Sequence, residues 1–439
     1  MVWSPPTDQH LAIVGGPRSG RSTAVRTLLA EALSQDDAPH VYILDLGRSL
    51  ADLGSHSRVG AVVSPDEPSR VERVLEYVTD EITDRRRHPE RGRQRLILVI
   101  DGWDVLDDLA DDAALFRLMD LATTILRDGS SADVHVLATG GRGLLTNRSL
   151  SLFRSQIALA MADKDDLAAI GVPRDCIPSD MPPGRGLTVP DGTELQITLP
   201  AELPACFVPT GIHRIDAVPT AVPVTDLAPS QGIAVGAGAD GTVALPLGRL
   251  DDLVAIIAGP PRSGRTTTLL TVAEQLHGRP TCWISTDTRA DLPDDVFQPE
   301  DGTQLAEWLA RDPTGVLLID DVCALVDSEI EESLARYAAK ASSTGAVVVA
   351  SGDIDQLSGN YRGLVGELRR RGTGVLLMPS RTDGELFALR CPKLDRPRPG
   401  NGFLVHRGEL TELQVAQVAA PARSSPDGPG DESSCTESG

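Results

Sequence analysis

The chain has 439 residues, room for two hydrophobic cores and more than one core uses. A formal net charge of −22 argues against a general polyanion binder, although a local basic face remains compatible with it. No run approaches the roughly 20 apolar residues of a membrane span, no signal-peptide h-region opens the chain, and six scattered cysteines without a C-x-x-C pair read as the reduced thiols of a cytoplasmic protein.

Taken in order, the chain opens with an apolar strand over 11–14 that runs into the loop Gly15, Gly16, Pro17, Arg18, Ser19, Gly20, Arg21, Ser22. A helix is expected over 22–33 and a strand over 41–44. Val71, Val74, Leu75, Val78 and Ile82 then mark one face at helical spacing. Arg85, Arg86, Arg87, Arg91, Arg93 and Arg95 follow, read as a solvated surface with a polyanion or partner patch as the alternative. A buried strand over 96–100 ends in Asp101. A helix with Leu115, Leu118, Met119, Ala122, Ile125 and Leu126 on one face leads to a strand over 134–138.

The same series recurs after a Pro-rich stretch. Extended and turn segments over 232–250 precede a strand over 253–257 and the loop Gly259, Pro260, Pro261, Arg262, Ser263, Gly264, Arg265, Thr266. A helix over 266–276, a strand over 281–284, a strand over 316–319 ending in Asp320 and Asp321, a helix carrying Ile330, Leu334, Tyr337 and Ala341, and a strand over 346–350 complete it. Strand–helix alternation of this kind predicts an α/β fold, and with a phosphate-loop sequence in each series two tandem P-loop NTPase domains, each a mainly parallel sheet with helices on both faces. The expected division is 1–199, a linker over 200–230, 231–418, and a disordered acidic tail over 419–439. The first unit starts with little run-up, which suggests a piece of a longer polypeptide.

Both loops fit the phosphate-loop spacing, with arginine in the lysine slot. Glycines there let backbone N–H groups wrap phosphates at a helix N-terminus. All eight residues of each loop are therefore candidate nucleotide contacts. Ser22 and Thr266 offer hydroxyls, and Asp101 and Asp320 carboxylates, to Mg²⁺. Only three lysines, Lys164, Lys340 and Lys393, occur among 41 basic residues, so compositional bias accounts for part of the arginine substitution. Arginine keeps the charge, but its planar fork is not interchangeable with an ammonium. A motor ATPase usually has a glutamate right after the strand-end aspartate; here Gly102 removes that carboxylate in the first unit and Asp321 shortens it in the second. Asp321 is the weak catalytic candidate. Thr139 and Ser351 sit at sensor positions, or simply satisfy backbone at a strand end. A trans-acting arginine finger among Arg369, Arg370 and Arg371 is not singled out by spacing. The histidines show no metal-ligand spacing.

These loops, the strand ends Asp101-Gly102-Trp103 and Asp320-Asp321, the segments 154–163 and 374–378, similar to a late strand of the family, and the closing turns Pro183-Gly184-Arg185-Gly186 and Pro399-Gly400-Asn401-Gly402 resemble the FtsK/SpoIIIE family of RecA-like motor ATPases, over about 10–417, which implies two tandem RecA-like P-loop NTPase domains. Within it, the back-to-back arrangement is similar to the degenerate domains of EccC-type ATPases of type VII secretion. The resemblance implies bound ATP and Mg²⁺ in a structural or regulatory role with weak or no hydrolysis. It also implies a secreted substrate and a membrane-anchored motor complex as partners, assembly with other ATPase domains or protomers, and a place at the inner face of the membrane. A DNA-translocating ATPase of the same family and a nucleotide-free scaffold are the alternative readings; the net charge and the acidic tail disfavour the first.

Overall fold

A computed structural model describes residues 3–110, 117–146, 148–202, 211–247, 253–276, 278–286, 292–392 and 394–418. The expected acidic tail over 419–439 lies outside them. The chain divides into two compact units, one made of Met1–Val218 with Arg390–Pro397 and the other of Pro219–Leu389 with the remainder.

The first unit holds β1 (Leu11–Val14), β2 (His40–Asp45), β3 (Val59–Val63), β4 (Leu96–Asp101), β5 (Val134–Gly140), β6 (Ser155–Leu159), β7 (Arg185–Val189) and β8 (Glu194–Gln196). They form one sheet in the order β3-β2-β4-β5-β1-β6-β7-β8. The six strands from β3 to β6 are parallel, while β7 and β8 extend the sheet antiparallel. The period of two along each strand sends alternate side chains to opposite faces. Leu11 and Ile13 join Val41, Ile43, Ile97 and Val99 on the face covered by helix Arg21–Leu33. Ala12 and Val14 join Tyr42, Leu44, Leu98 and Ile100 on the other face, under helices Pro68–Arg87 and Arg117–Asp128. The expected apolar face of Pro68–Arg87 is the buried one: Val71, Val74, Leu75, Val78 and Ile82 are all interior.

The second unit holds β9 (Ile233–Gly238), β10 (Gly241–Leu245), β11 (Val254–Gly259), β12 (Thr281–Ile284), β13 (Val296–Phe297), β14 (Val316–Ile319), β15 (Val347–Asp353), β16 (Gly374–Leu377), β17 (Asn401–His406) and β18 (Glu409–Val415). Their order is β10-β9-β18-β17-β16-β11-β15-β14-β12-β13. Read from β13, this repeats the first sheet strand for strand, with hairpin β9–β10 added beyond β18. The run-up to the second loop is thus a hairpin that lengthens the sheet. In both units the loop-bearing strand, β1 or β11, is central, flanked by two parallel neighbours. That placement delivers both loops at the C-terminal edge of a sheet, where open α/β sheets bind ligands.

The arginine run is not a bare cationic face. Arg85 is buried at 9% exposure; its Nε donates to Glu81 at 2.9 Å, and its Nη groups donate to the carbonyls of Ala132, Asp133 and Gln94. Arg93 pairs with Glu81 and Asp84, Arg95 with Asp133, and Arg86 with Asp128. Acidic neighbours therefore meet most of this positive charge. Among the described residues no helix is long and apolar enough to cross a membrane.

Candidate functional site

Each loop joins the end of its strand to a helix: β1 to Arg21–Leu33, and β11 to Arg265–Glu274. The two backbones agree closely. Arg18 and Arg262 have φ of 62° and 65°, and the helix N-cap residues Gly20 and Gly264 have φ of 103° and 104°. Such values suit glycine at the cap. A second demand on these glycines comes from the closing turns. Gly184 N donates to Ser19 O at 2.8 Å, and Gly400 N donates to Ser263 O at 2.7 Å. A Cβ on Gly20 would stand 2.9 Å from Gly184 N, and one on Gly264 would stand 3.1 Å from Gly400 N. The two turns quoted in the sequence are therefore the backs of the two loops.

The loops expose donors. Among the described residues, the amides of Arg18, Gly20, Arg21 and Ser22 have no acceptor, nor do those of Arg262, Gly264, Arg265 and Thr266. The first amides of any helix lack an intrahelical partner; here the row continues back into the loop. Ser19 Oγ, Ser263 Oγ, Arg21 Nη1 and Arg265 Nη1 are also buried without a hydrogen-bond partner. Buried polar atoms without partners are uncommon. That four of them occupy matching positions in two loops fits a polyanionic ligand, which would supply acceptors to all of them. Arg18 and Arg262 themselves are exposed.

The strand-end carboxylates face the loop hydroxyls. Ser22 Oγ donates to Asp101 Oδ2 at 2.9 Å, and Thr266 Oγ1 lies 3.0–3.1 Å from both oxygens of Asp320. Thr139 donates to Asp101 at 2.6 Å and Ser351 to Asp320 at 2.8 Å, so both sensor-position hydroxyls orient the aspartate. Ser49, unremarked in the sequence, adds a further hydroxyl on Asp101 at 3.0 Å. The donor set fits Mg²⁺, a hard cation that takes one or two carboxylates, leaving phosphate and water to complete its shell. No cluster of three or more His, Cys, Asp or Glu side chains suited to a metal exists among the described residues.

Beyond the strand ends the units diverge. Gly102 and Asp321 share a left-handed backbone, with φ of 113° and 63°. Asp321 N donates to Ser351 Oγ at 3.0 Å, and Asp321 Oδ1 is buried without a partner. Asp104, out of register for a catalytic carboxylate, lies instead 3.7 Å from Arg21 Nη1. It also accepts the amides of Gly141 and Leu144, at 2.6 and 3.2 Å. The corresponding residue of the second unit is Cys323. Burial pushes its thiol up to about 11, with the charge of Asp321 adding to the effect. Arg369, one of three arginines considered for a trans-acting role, caps the helix Ile354–Gly359 through the carbonyls of Leu357, Ser358 and Asn360.

Each unit thus carries a phosphate-loop geometry backed by a glycine turn and faced by a strand-end aspartate. Residues 2–174 match the FtsK/SpoIIIE family. Over 400 residues the chain is 27% identical to the ESX-3 secretion system protein EccC3 of Mycobacterium tuberculosis (strain ATCC 25618 / H37Rv), covering 73% of this chain and 29% of that protein. The chain therefore spans less than a third of the length of that curated relative. Its fold is similar to EssC (ATPases 2 and 3) from Geobacillus thermodenitrificans, with a TM-score of 0.70 at 20% identity, over 94% of this chain and 92% of that one. It is also similar to Thermomonospora curvata EccC (ATPases 2 and 3) in complex with a signal sequence peptide, with a TM-score of 0.62 at 19% identity, over 94% and 88%. The tandem P-loop ATPase fold expected from the repeated motifs is the fold of these proteins.

Proposed function

We propose that this chain is the ATP-binding, hydrolysis-impaired tandem module of a type VII secretion ATPase, with FtsK/SpoIIIE-like domains over 1–199 and 231–418. The observation that carries the reading is the matched set of buried polar atoms without a hydrogen-bond acceptor or donor in the two loops: the Ser19 and Ser263 hydroxyls and one guanidinium nitrogen, Nη1, of each of Arg21 and Arg265. ATP phosphates supply acceptors for these groups and for the free loop amides. Ser22 with Asp101 and Thr266 with Asp320 are the residues that hold Mg²⁺, which neutralises phosphate charge when bound.

Impaired hydrolysis follows from the strand ends. Gly102 offers no carboxylate to orient a water. Asp321 is one methylene short of glutamate, and misplacement by about 1 Å costs on the order of 100-fold. Bound nucleotide thus stiffens each unit rather than driving a cycle. A signal sequence peptide of the kind bound by the Thermomonospora relative is the partner proposed for this chain.

Gentle purification followed by nucleotide extraction and mass spectrometry tests the reading. Intact ATP in the extract, or a thermal shift with Mg-ATP, is expected, with steady-state hydrolysis that duplex DNA does not stimulate. No extracted nucleotide and no shift sinks it; DNA-stimulated turnover at motor rates replaces it with a translocase.

A further inference from the structure

The two lysine-slot arginines face different neighbours. In the first unit the carboxylate of Asp104 stands 3.7 Å from Arg21 and is fixed there by the amide of Gly141, two residues past Thr139. In the second unit Cys323 takes that place. It follows Asp320 by three residues, as Asp104 follows Asp101. The backbone of Asp353, two residues past Ser351, and the charge of Arg265 both favour its thiolate, which places Cys323 near both. Sequence spacing and backbone partner thus agree on the correspondence. Among the described residues no carboxylate lies within ion-pair distance of Arg265, and its Nη1 is buried without an acceptor.

We propose that Asp104 is a positioning residue that holds Arg21 and lowers the nucleotide affinity of the first loop, whereas the neutral Cys323 leaves Arg265 available, so that the second loop binds more tightly. The inference rests on the nucleotide-binding reading above. Two effects act in the same direction. A phosphate must compete with an internal carboxylate for the guanidinium of Arg21, and that carboxylate repels the incoming anion. The Cys323 thiol does not compete for Arg265 in this way; Asp321, whose charge reaches Cys323, still repels an anion at the second loop, so the difference between the loops rests on the competition for the guanidinium. Both partners of the first pair are partly solvated, at 24% and 36% side-chain exposure, which keeps the effect modest.

The test titrates the full chain with a fluorescent ATP analogue and Mg²⁺. The first loop is isolated by R265A/T266A and the second by R21A/S22A. The second loop binds more tightly in wild-type sequence around it. Asp104→Asn, which retains an acceptor for Gly141, and Asp104→Cys tighten the first loop by about three- to tenfold. Cys323→Asp weakens the second loop by a similar factor. The gain from Asp104→Asn disappears when Arg21 is replaced by Met, a coupling that a purely structural role of Asp104 does not produce. Equal affinities at the two loops, unchanged affinity in both Asp104→Asn and Cys323→Asp, or a gain that persists without Arg21, each overturn this inference while leaving nucleotide binding intact. Absence of binding in the wild-type chain and every variant overturns both.

Discussion

Acidification should weaken the first unit well before its carboxylates titrate, through His10. This side chain is 1% exposed beside β1, and its neutral tautomer is fixed by its partners. Nδ1 accepts the amide of Val136 at 2.9 Å, and Nε2 donates to the Leu126 carbonyl at 2.8 Å, with Ser130 Oγ at 3.1 Å. A second proton on Nδ1 would point at an N–H donor. Burial lowers the His10 pKa from 6.5 to about 4, the nearby His135 adds to the depression, and the Leu126 carbonyl opposes it. The facing groups also include Asp133, which holds His135 at 3.1 Å and is itself paired with Arg95. Between about pH 6.5 and 4 the unfolded chain therefore binds a proton that the folded chain refuses. Stability attributable to His10 is complete above 6.5 and is lost as pH falls toward 4. At about 1.4 kcal/mol per pH unit the full loss is roughly 3 kcal/mol. Hydrogen exchange of peptides from β1 and β5, followed from pH 7.5 to 4.5 with intrinsic rates corrected, reads this out. His10→Gln removes the titrating ring and should flatten the profile in that window while lowering stability at pH 7.5. An identical pH slope in wild type and His10→Gln would falsify the assignment.

The remaining predictions concern the loops and their supports. Gly20→Ala places a Cβ against Gly184 N on a left-handed backbone and should cost about 2–4 kcal/mol of first-unit stability; Gly264→Ala, with 0.2 Å more room, should cost less. Urea unfolding resolved by unit checks the order, and a reversed order contradicts the packing argument. Asp320→Asn keeps an acceptor for Thr266 but loses the charge, so nucleotide binding at the second loop should lose most of its Mg²⁺ dependence. Calorimetric titration with Mg²⁺ and with EDTA measures this; an undiminished difference between the two refutes Asp320 as a metal ligand. Arg85→Met removes this donor from the Ala132 and Gln94 carbonyls, while Glu81 keeps Arg93 and the Asp133 carbonyl keeps the Leu96 amide, and should destabilise the first unit by about 1–3 kcal/mol. A loss below about 0.5 kcal/mol in denaturant unfolding would mean that water replaces the guanidinium there.

What the sequence made legible was whatever repeats along the chain. The buried strands are short apolar runs, and β1, β12 and β14 fall where those runs lie, because such strands are interior on both faces and carry no polar interruption. β3 was missed because Val59–Val63 is broken by Gly60, whose missing side chain makes room for the Tyr42 ring. Of the antiparallel hairpins, β9–β10 lies within the extended and turn segments expected over 232–250, whereas β7–β8 and β17–β18 were missed for a related reason. β18 reads Glu-Leu-Thr-Glu-Leu-Gln-Val, with its first four residues at least partly exposed, so its apolar signal is diluted. Arg85 looked like its neighbours in the run, and only the packing of Pro68–Arg87 turns it inward.

The candidate site's geometry was legible in its glycines, hydroxyls and strand-end aspartates, because their spacing sets each loop hydroxyl against the aspartate at the end of a neighbouring strand. Asp104 was not, and the reason is instructive. Its effect depends on a meeting in space between a residue three past one strand end, an amide two past the next, and the first residue of a helix some 80 positions earlier. No local pattern encodes that meeting; the repeat does. Aligning the two units on their strand-end aspartates sets Asp104 against Cys323, a carboxylate against a thiol, each three residues past its aspartate. Within a duplicated fold, backbone features held in common, such as the left-handed caps and the glycine turns, mark what both loops require to form. The side chains that differ against that shared frame mark where the surroundings of the two loops diverge, and Arg21 and Arg265, identical in sequence, differ most through what stands beside them.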